Sequence, residues 1–446
     1  MSVIPIMLRR HITSFRVILF GFACVILLGA ILLYLPVSTV QGKHTTLINA
    51  LFTSASAVCV TGLTVYDTSS HWTLFGKIVL LLLIQIGGLG VITVAVAAFI
   101  ITGRRIGIMQ RTTMQDAISA PQIGGIVRMT KHILIGTLMT EAAGAFLLCP
   151  VFCRDMGPGS GMFSAVFHSV SAFCNAGFDI MGVQQTGTSL SVYSDSVLVN
   201  TVIMALIIAG GLGFLTWQDL FRNGIHNRKL RLQSRIVLIM TFVLIVIPFL
   251  WFYTSEFSAY TGKKRVLYAL FHSVTPRTAG FSTFDYSRMS EGSLLITILL
   301  MIAGGAPGST AGGMKITSLY ILFISSFAFM KRKDDVSTFG RRIEPSVIRN
   351  AMVLLVLYLS LLIAGSLIVS YCEKLPVLPS MFECASALGT VGLSCGITQH
   401  LSSLSKILLT GFMFFGRVGG LTVAYAAGSR QKEACGKYPA EYVAVG

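Results

Sequence analysis

Charge is scarce in this 446-residue chain: Asp, Glu, Lys and Arg together make up 11% of it, less than half the roughly 25% of typical soluble chains. So few charges cannot cover a soluble protein of this length, and the 54% of hydrophobic residues must face something other than water. Acidic residues are the rarer sign, 17 against 34 basic ones, for a net charge of +17. That excess does not point to nucleic acid, because no basic segment stands apart from the apolar runs. It matches the loading of Lys and Arg onto the cytoplasmic loops of membrane proteins. Enzyme signatures are missing: there is no zinc-ligand spacing, no G-x-S-x-G elbow and no convergence of acids, Cys and His within a span. No catalytic residue and no organic cofactor are expected. The nine Cys fall mostly in apolar stretches and read as small buried hydrophobes; Cys149 and Cys153 stand near a span end, where pairing stays open. A leader cleavage site is also lacking. Arg9, Arg10 and Arg16 precede an apolar run that ends in Leu35-Pro36, which reads as a retained first span.

Long apolar runs are what the chain has. Eight reach the roughly 20 residues that cross a bilayer: 17–35, 75–101, 132–152, 196–217, 236–253, 293–325, 351–371 and 404–428. Between them lie four shorter apolar segments, near 47–58, 163–174, 266–275 and 380–388, too short to cross and readable as re-entrant helices. Lys and Arg concentrate at the N-terminus, near 102–131, 222–235 and 331–349, and in the C-terminal tail. Both termini are therefore expected in the cytoplasm. Trp72, Trp217 and Trp251 fall at expected span ends, as interfacial aromatics do.

The order is span, short segment, span, four times over. Each unit returns to its starting side, so the four are parallel and can surround one axis normal to the membrane. The fold class that follows is an all-α membrane protein of four helix–pore loop–helix repeats, eight transmembrane helices in all, around one central pore. The units span 13–110, 128–222, 232–331 and 346–428, followed by a cytoplasmic tail at 429–446. Shared marks support the duplication. Phe52, Phe167, Phe271 and Phe382 open the short segments, and a glycine follows each Phe after ten, ten, nine and ten residues. The glycines close Val60-Thr61-Gly62, Asn175-Ala176-Gly177, Thr278-Ala279-Gly280 and Thr390-Val391-Gly392. Gly-Gly pairs follow at 87–88, 210–211, 304–305 and 419–420.

Extended backbone after a short helix is tolerated at membrane depth only where it lines a water-filled cavity or holds an ion. Carbonyl oxygens can stand in for the hydration shell of a monovalent cation, and glycine permits backbone forms that a Cβ forbids. The four loops thus read as a filter for a monovalent cation, against the alternative of glycines that only allow tight helix packing. A second feature is Gly304-Gly305-Ala306-Pro307-Gly308-Ser309-Thr310-Ala311-Gly312-Gly313-Met314-Lys315, a break inside an apolar run. It reads as a flexible gate below the filter or as a structural kink; it lacks the Gly-Lys-Ser/Thr of a phosphate loop. Arg417, within the last span, is a functional candidate by default.

The four loops and the 304–315 stretch resemble the Trk/Ktr/HKT superfamily of potassium transporters over residues 15–428, and most of all its Ktr-type bacterial membrane subunits. The resemblance implies gated, channel-like K⁺ uptake across the bacterial plasma membrane, often Na⁺-dependent. It also implies a homodimer of membrane subunits and a separate cytosolic nucleotide-binding ring that regulates them. Glycine in all four filters is the family's K⁺-selective pattern. Its gate is implied at Gly304, Gly305, Gly308, Gly312, Gly313, Lys315 and Arg417. K⁺ is then the transported ion, Na⁺ a second candidate, and the lipid bilayer the surrounding partner. Arg277 and Asn175 are expected to brace the loops, and Asp67 and Asp285 to draw cations to the mouth or simply to be solvated. Glu141 and Glu383 could serve a proton or Na⁺ site or make packing hydrogen bonds; the sequence favours packing for Glu141. His168 and His272 read as structural. An organic-solute transporter with inverted repeats and an intramembrane enzyme fit less well.

Overall fold

The computed structural model describes residues 14–102, 107–118, 124–181, 189–224, 230–333, 335–427 and 441. The Arg9-Arg10 stretch and, Glu441 apart, the 429–446 tail lie outside the described residues. The first unit runs α1 (Ser14–Tyr34), short helix α2 (Leu47–Val58), one-turn α3 (Thr68–His71), then α4 (Leu74–Leu89) and α5 (Val91–Ile101). Helix α6 (Ile108–Ile118) leads to the second unit: α7 (Ile126–Met156), α8 (Pro158–Phe173), α9 (Val197–Gly211) and α10 (Phe214–Asn223). The third holds α11 (Leu232–Trp251), α12 (Gly262–Val274), α13 (Glu291–Ile302) and α14 (Ile316–Met330). A small hairpin, β1 (Ser337–Thr338) with β2 (Arg341–Arg342), precedes the fourth: α15 (Pro345–Glu373), α16 (Val377–Leu388), α17 (Ser403–Val418) and α18 (Gly420–Ala427).

Among the described residues four helices are each long and apolar enough to cross a bilayer: α1, α7, α11 with its extension to Glu256, and α15. α7 and α15 overrun the expected 132–152 and 351–371 because their polar first turns are helical too. Pro248 removes a backbone donor near the end of α11, and the chain continues as a π-turn over Phe252–Glu256.

Three of the four second spans differ from expectation, the break at 304–315 in the third unit being the expected one. Each apolar run is broken rather than continuous. α4 and α5 meet at 95°, α9 and α10 at 97°; residues 303–315 separate α13 from α14, and Gly419 separates α17 from α18. Hydropathy cannot register the breaks at Gly90, Gly213 and Gly419, because the apolar character runs straight through them; that of the third unit is marked by its glycines and proline. Backbone geometry makes them: Gly90, Gly213 and Gly419 share φ 86, 84 and 94° with ψ 133, 140 and 132°, a region closed to residues with a Cβ.

This shared hinge also corrects the repeat register. Counting back three residues from each hinge glycine, the Gly87-Gly88 and Gly210-Gly211 pairs match Gly416-Arg417, not Gly419-Gly420. A Cβ at Gly87, Gly210 or Gly416 would run into the carbonyl of Val58, Phe173 or Leu388, the last residues of α2, α8 and α16. Arg417 therefore occupies the place that glycine holds in the first two units.

Other links repeat as well. Thr73, Ser196, Ser290 and Ser402 cap α4, α9, α13 and α17, each accepting the backbone N–H three residues on, at 3.3–3.4 Å, which satisfies one of the orphan donors of a helix start. The Ser54 and Ser169 hydroxyls donate to the Ile26 and Glu141 carbonyls at 2.6 Å, tying α2 to α1 and α8 to α7. Phe52, Phe167, Phe271 and Phe382 are all buried in one core that spans the four units.

Candidate ion pathway

The segments after the four short helices carry the same backbone. Val60, Asn175, Thr278 and Thr390 have φ of 58, 59, 64 and 51°, and two residues on Gly62, Gly177, Gly280 and Gly392 have φ of 92, 65, 79 and 94°. The extended backbone expected here is thus replaced by a left-handed residue, one intervening residue and a left-handed glycine. For β-branched Val60, Thr278 and Thr390 this is a true outlier, costing on the order of 1–2 kcal/mol each. Hydrogen bonds back to the short helices hold the turn. The N–H groups of Thr61, Ala176, Ala279 and Val391 donate to the carbonyls of Ser56, Ser171, Thr275 and Ser386 at 2.7–3.0 Å. The Ser56 and Ser386 hydroxyls accept the Gly62 and Gly392 N–H groups at 3.1 and 3.0 Å. The Ser171 and Thr275 hydroxyls donate to the Phe178 and Phe281 carbonyls instead.

With the amides turned back to the helices, the carbonyls face inward, and the glycines show where. A Cβ on Gly62 would collide with the Ala176 carbonyl oxygen, one on Gly177 would lie 2.6 Å from that of Ala279, one on Gly280 would meet that of Val391, and one on Gly392 that of Thr61. First unit to second, second to third, third to fourth and fourth to first, the four loops close a ring. Among the described residues no donor is bonded to the carbonyls of Val60, Thr61, Asn175, Ala176, Thr278, Ala279, Thr390 or Val391. Eight unpaired carbonyls, four of them (Thr61, Ala176, Ala279 and Val391) set against the ring glycines, are costly unless water or a cation meets them. Neutral oxygens in a ring can replace the hydration of a monovalent cation and offer an anion nothing.

Two cavities meet the axis. One, of about 220 Å³, is lined by all four ring glycines together with Asp67, Asp179 and Thr398. Asp67 also caps α3 through the Ser69 N–H at 3.0 Å. Asp285, expected beside it, does not line this cavity; it caps the turn at Ser287 (3.0 Å) and pairs with Arg288 at 3.6 Å. Asp179 was not anticipated, although its place two residues after Gly177 could have marked it. Short-helix side chains brace the segments beyond the ring. Glu383 accepts the Ser394 hydroxyl (2.5 Å), the Cys395 N–H (3.1 Å) and the Thr398 hydroxyl (2.7 Å). His168, whose Nδ1 meets the Ser164 carbonyl at 2.7 Å, accepts the Ile180 N–H at Nε2.

The other cavity, of about 250 Å³, is lined by Gly308, Gly313, Lys315 and Arg417, with Asp116 of α6 at its edge. The 303–315 loop forms one wall, and it is stitched in place rather than free. Ala306 N–H donates to Gly211 (3.0 Å), Thr310 N–H to Gly210 (3.3 Å), Gly313 N–H to Gly416 (3.2 Å), and Phe214 N–H to Gly308 (2.9 Å). Gly304 N–H closes on Met314 (2.8 Å) and Ile316 N–H on Gly305 (3.1 Å). Gly312 lies against Thr390, where no Cβ would fit. The Thr310 hydroxyl donates to the Phe173 carbonyl at 3.0 Å. Lys315 does not reach outward; its ammonium donates to Ala311 at 2.8 Å. Arg417 ties three units together: one Nη donates to the Thr310 carbonyl, the other to those of Gly87 and Gly88.

The remaining candidates sit behind the ring. Asn175 lies 3.4 Å from the Thr278 hydroxyl, with its amide nitrogen, assigned from its surroundings, toward the carbonyls of Ile207 and Ala172. Arg277 turns away from the axis to Thr241 of α11 at 3.2 Å. Glu141 accepts Gln85 Nε2 at 3.2 Å and the Cys174 thiol at 3.8 Å, consistent with the packing reading. Cys149 and Cys153 are free thiols with sulfurs 3.3 Å apart.

The chain is similar to known proteins. The family model TrkH, described as a cation transport protein, matches residues 22–433. The potassium/sodium uptake protein NtpJ of Enterococcus hirae is 37% identical, with all of both chains covered. The Ktr system potassium uptake protein B of Bacillus subtilis is 37% identical over 92% of each chain. The crystal structure of the potassium transporter TrkH from Vibrio parahaemolyticus superposes with a TM-score of 0.73 at 21% identity, covering 93% of this chain and 84% of that one.

Proposed function

This chain belongs to the TrkH family of cation transport proteins, and we propose that it takes K⁺ up across a bacterial plasma membrane, through the glycine ring as selectivity filter. The observation that carries this is the ring itself: four glycines whose missing side chains leave room for the next unit's carbonyl, with eight carbonyls free to coordinate. Val60, Thr61, Gly62 and their counterparts at 175–177, 278–280 and 390–392 hold the dehydrated ion. The relatives named for potassium or potassium/sodium uptake support K⁺ as cargo, and Na⁺ dependence is a finer reading of the same site.

The basic loops and both termini lie in the cytoplasm, so the Asp67–Asp179 cavity is the outer mouth. An inward cation gains about 2.3 kcal/mol per 100 mV of negative-inside potential, and no further coupling is required for uptake. Below the filter, Arg417 and the loop from Gly304 to Lys315 form the gate. Its guanidinium repels a cation leaving the ring, and its bonds to Gly87, Gly88 and Thr310 hold the loop across the path. Opening means exchanging those bonds for water or for other carbonyls. The chain pairs as a homodimer and answers to a cytosolic nucleotide-binding subunit docked on its basic loops.

The deciding experiment is ⁸⁶Rb⁺ uptake by the purified protein in vesicles. Uptake should be saturable, driven by a negative-inside potential, and displaced by K⁺ at far lower concentration than by Na⁺. Equal displacement by the two ions would refute the assignment of the ring as a K⁺ filter.

A further inference from the structure

A third cavity, of about 460 Å³, opens between α7 and α10. Phe214 lines both it and the loop-side cavity on the axis. Its walls are apolar, with Ile133 and Gly136 on α7 and Trp217 and Phe221 on α10; its rim carries His132 and Arg222. We infer that this slot binds an anionic phospholipid, one acyl chain against Trp217 and the phosphate at Arg222.

The position of α10 argues for a lipid. Turned 97° from α9, it runs along the apolar layer rather than across it. It buries Leu215, Thr216 and Asp219 against the protein and leaves Phe221 83% exposed. A short helix with an outward aromatic beside an arginine suits the membrane interface. The charge nearby is mostly basic. Arg128, Lys131 and His132 in the first turns of α7 and Arg222 on α10 are all exposed. Asp219, the acid on α10, accepts the Asn223 amide and the Arg231 N–H, both at 2.8 Å, and makes no ion pair with Arg222 among the described residues, which leaves the basic groups in excess. Clustered basic residues at a membrane surface select anionic headgroups.

The slot is kept open by a missing side chain. A Cβ on Gly136 would find only the Trp217 ring, at 3.8 Å. Trp217 is itself fixed, its indole N–H donating to Ala209 at 3.0 Å and its ring edge-on to Phe173 at 5.9 Å. Phe173 ends the short helix of the second filter, and its carbonyl accepts the Thr310 hydroxyl. A chain lying on Trp217 therefore presses on the residue that joins that filter to the 303–315 loop.

The test places the full-length protein in phosphatidylcholine nanodiscs containing rising fractions of brominated phosphatidylglycerol and reads tryptophan quenching. The expected result is saturable quenching beyond that of brominated phosphatidylcholine, reversed by unbrominated phosphatidylglycerol. Gly136→Ala should keep it, Gly136→Leu should abolish it by filling the slot, and Arg222→Gln should raise the half-saturating fraction several-fold. Should Gly136→Leu fail to fold, Arg222→Gln, at an exposed position, carries the test alone. Equal quenching by the two lipids, or an excess untouched by both variants, overturns the inference. So does a Phe221→Cys crosslink between two copies of the chain together with no excess quenching, since a second copy would then cover the slot.

Discussion

The two sides of the glycine ring differ in how far the four units agree. At the ring, every unit repeats the same left-handed pair of residues and the same bond back to its short helix. On the loop side agreement ends. The first, second and fourth units hinge at Gly90, Gly213 and Gly419, whereas the third inserts residues 303–315; glycine at 88 and 211 gives way to Arg417. A spherical ion asks for equal oxygens all round, so the proposed filter keeps its symmetry. Blocking and unblocking a path needs one moving part, and a chain carrying four copies of a unit can put it in one copy. Four identical subunits could not build Arg417 reaching across to Gly87, Gly88 and Thr310 without building it four times.

The contrast can be broken from either side. The largest effect is expected at the ring. Gly62→Ser or Gly392→Ser puts a Cβ where the neighbouring carbonyl sits and strains a φ above 90°. Discrimination between Rb⁺ and Na⁺ should fall by about tenfold or more, since about 1.4 kcal/mol of lost coordination suffices. Competitive ⁸⁶Rb⁺ flux measures it, and unchanged selectivity would exclude these glycines from the filter. Next comes the proposed gate. Arg417→Ala, or deletion of Gly305–Gly312, should raise flux several-fold with selectivity kept, because each charge-assisted hydrogen bond lost is worth about 1.5–3 kcal/mol. Arg417→Lys should not restore the closed state, as an ammonium lacks the planar fork that reaches three carbonyls. No rise in flux from either the alanine or the deletion variant would remove the gate.

A smaller step sharpens the same comparison. Thr310→Val keeps the loop's shape and removes one neutral hydrogen bond to Phe173, worth about 0.5–1.5 kcal/mol. Flux should rise by less than in Arg417→Ala. An equal rise would mean that Thr310, not Arg417, holds the loop. The smallest effect separates the outer segments of the first and third units, which share an Asp-capped turn, Asp67 with Ser69 and Asp285 with Ser287. Only the first adds His71, stacked on Tyr66 at 3.9 Å and 2.8 Å from the Thr45 hydroxyl. Burial, reinforced by Lys43, pulls His71 down to about 4 from 6.5. The unfolded chain then holds the extra proton between those values, so stability is lost as pH falls through 6.5 toward 4. Melting temperature against pH should show this slope in the parent and a flatter one in His71→Gln.

Much of the architecture was legible because it rests on length and repetition. Runs near 20 residues mark spans, runs near ten mark short helices, and the Phe-to-Gly interval recurs wherever a short helix must end at the same depth. What escaped reading is conformational. Val60, Thr278 and Thr390 are strand-formers by local preference, and only the closed ring forces them left-handed. The hinges at Gly90 and Gly213 lie within unbroken apolar runs, so nothing in hydropathy separates α4 from α5 or α9 from α10. Gly419-Gly420 attracted the wrong pairing because one dipeptide looks like another until the fold shows what each lies against. Asp179 stayed hidden because its neighbours Phe178 and Ile180 suggest core, while the cavity wall passes between them.

The closure of the ring carries a consequence for how such a chain can change over time. Room for each carbonyl is supplied not by its own loop but by a neighbouring one, so a harmful replacement in one copy is felt in another, far away in sequence. Once duplicated, the four copies could not drift apart singly at these sites. Selection sees them as one inherited object, while a few residues deeper each copy was at liberty to find its own role.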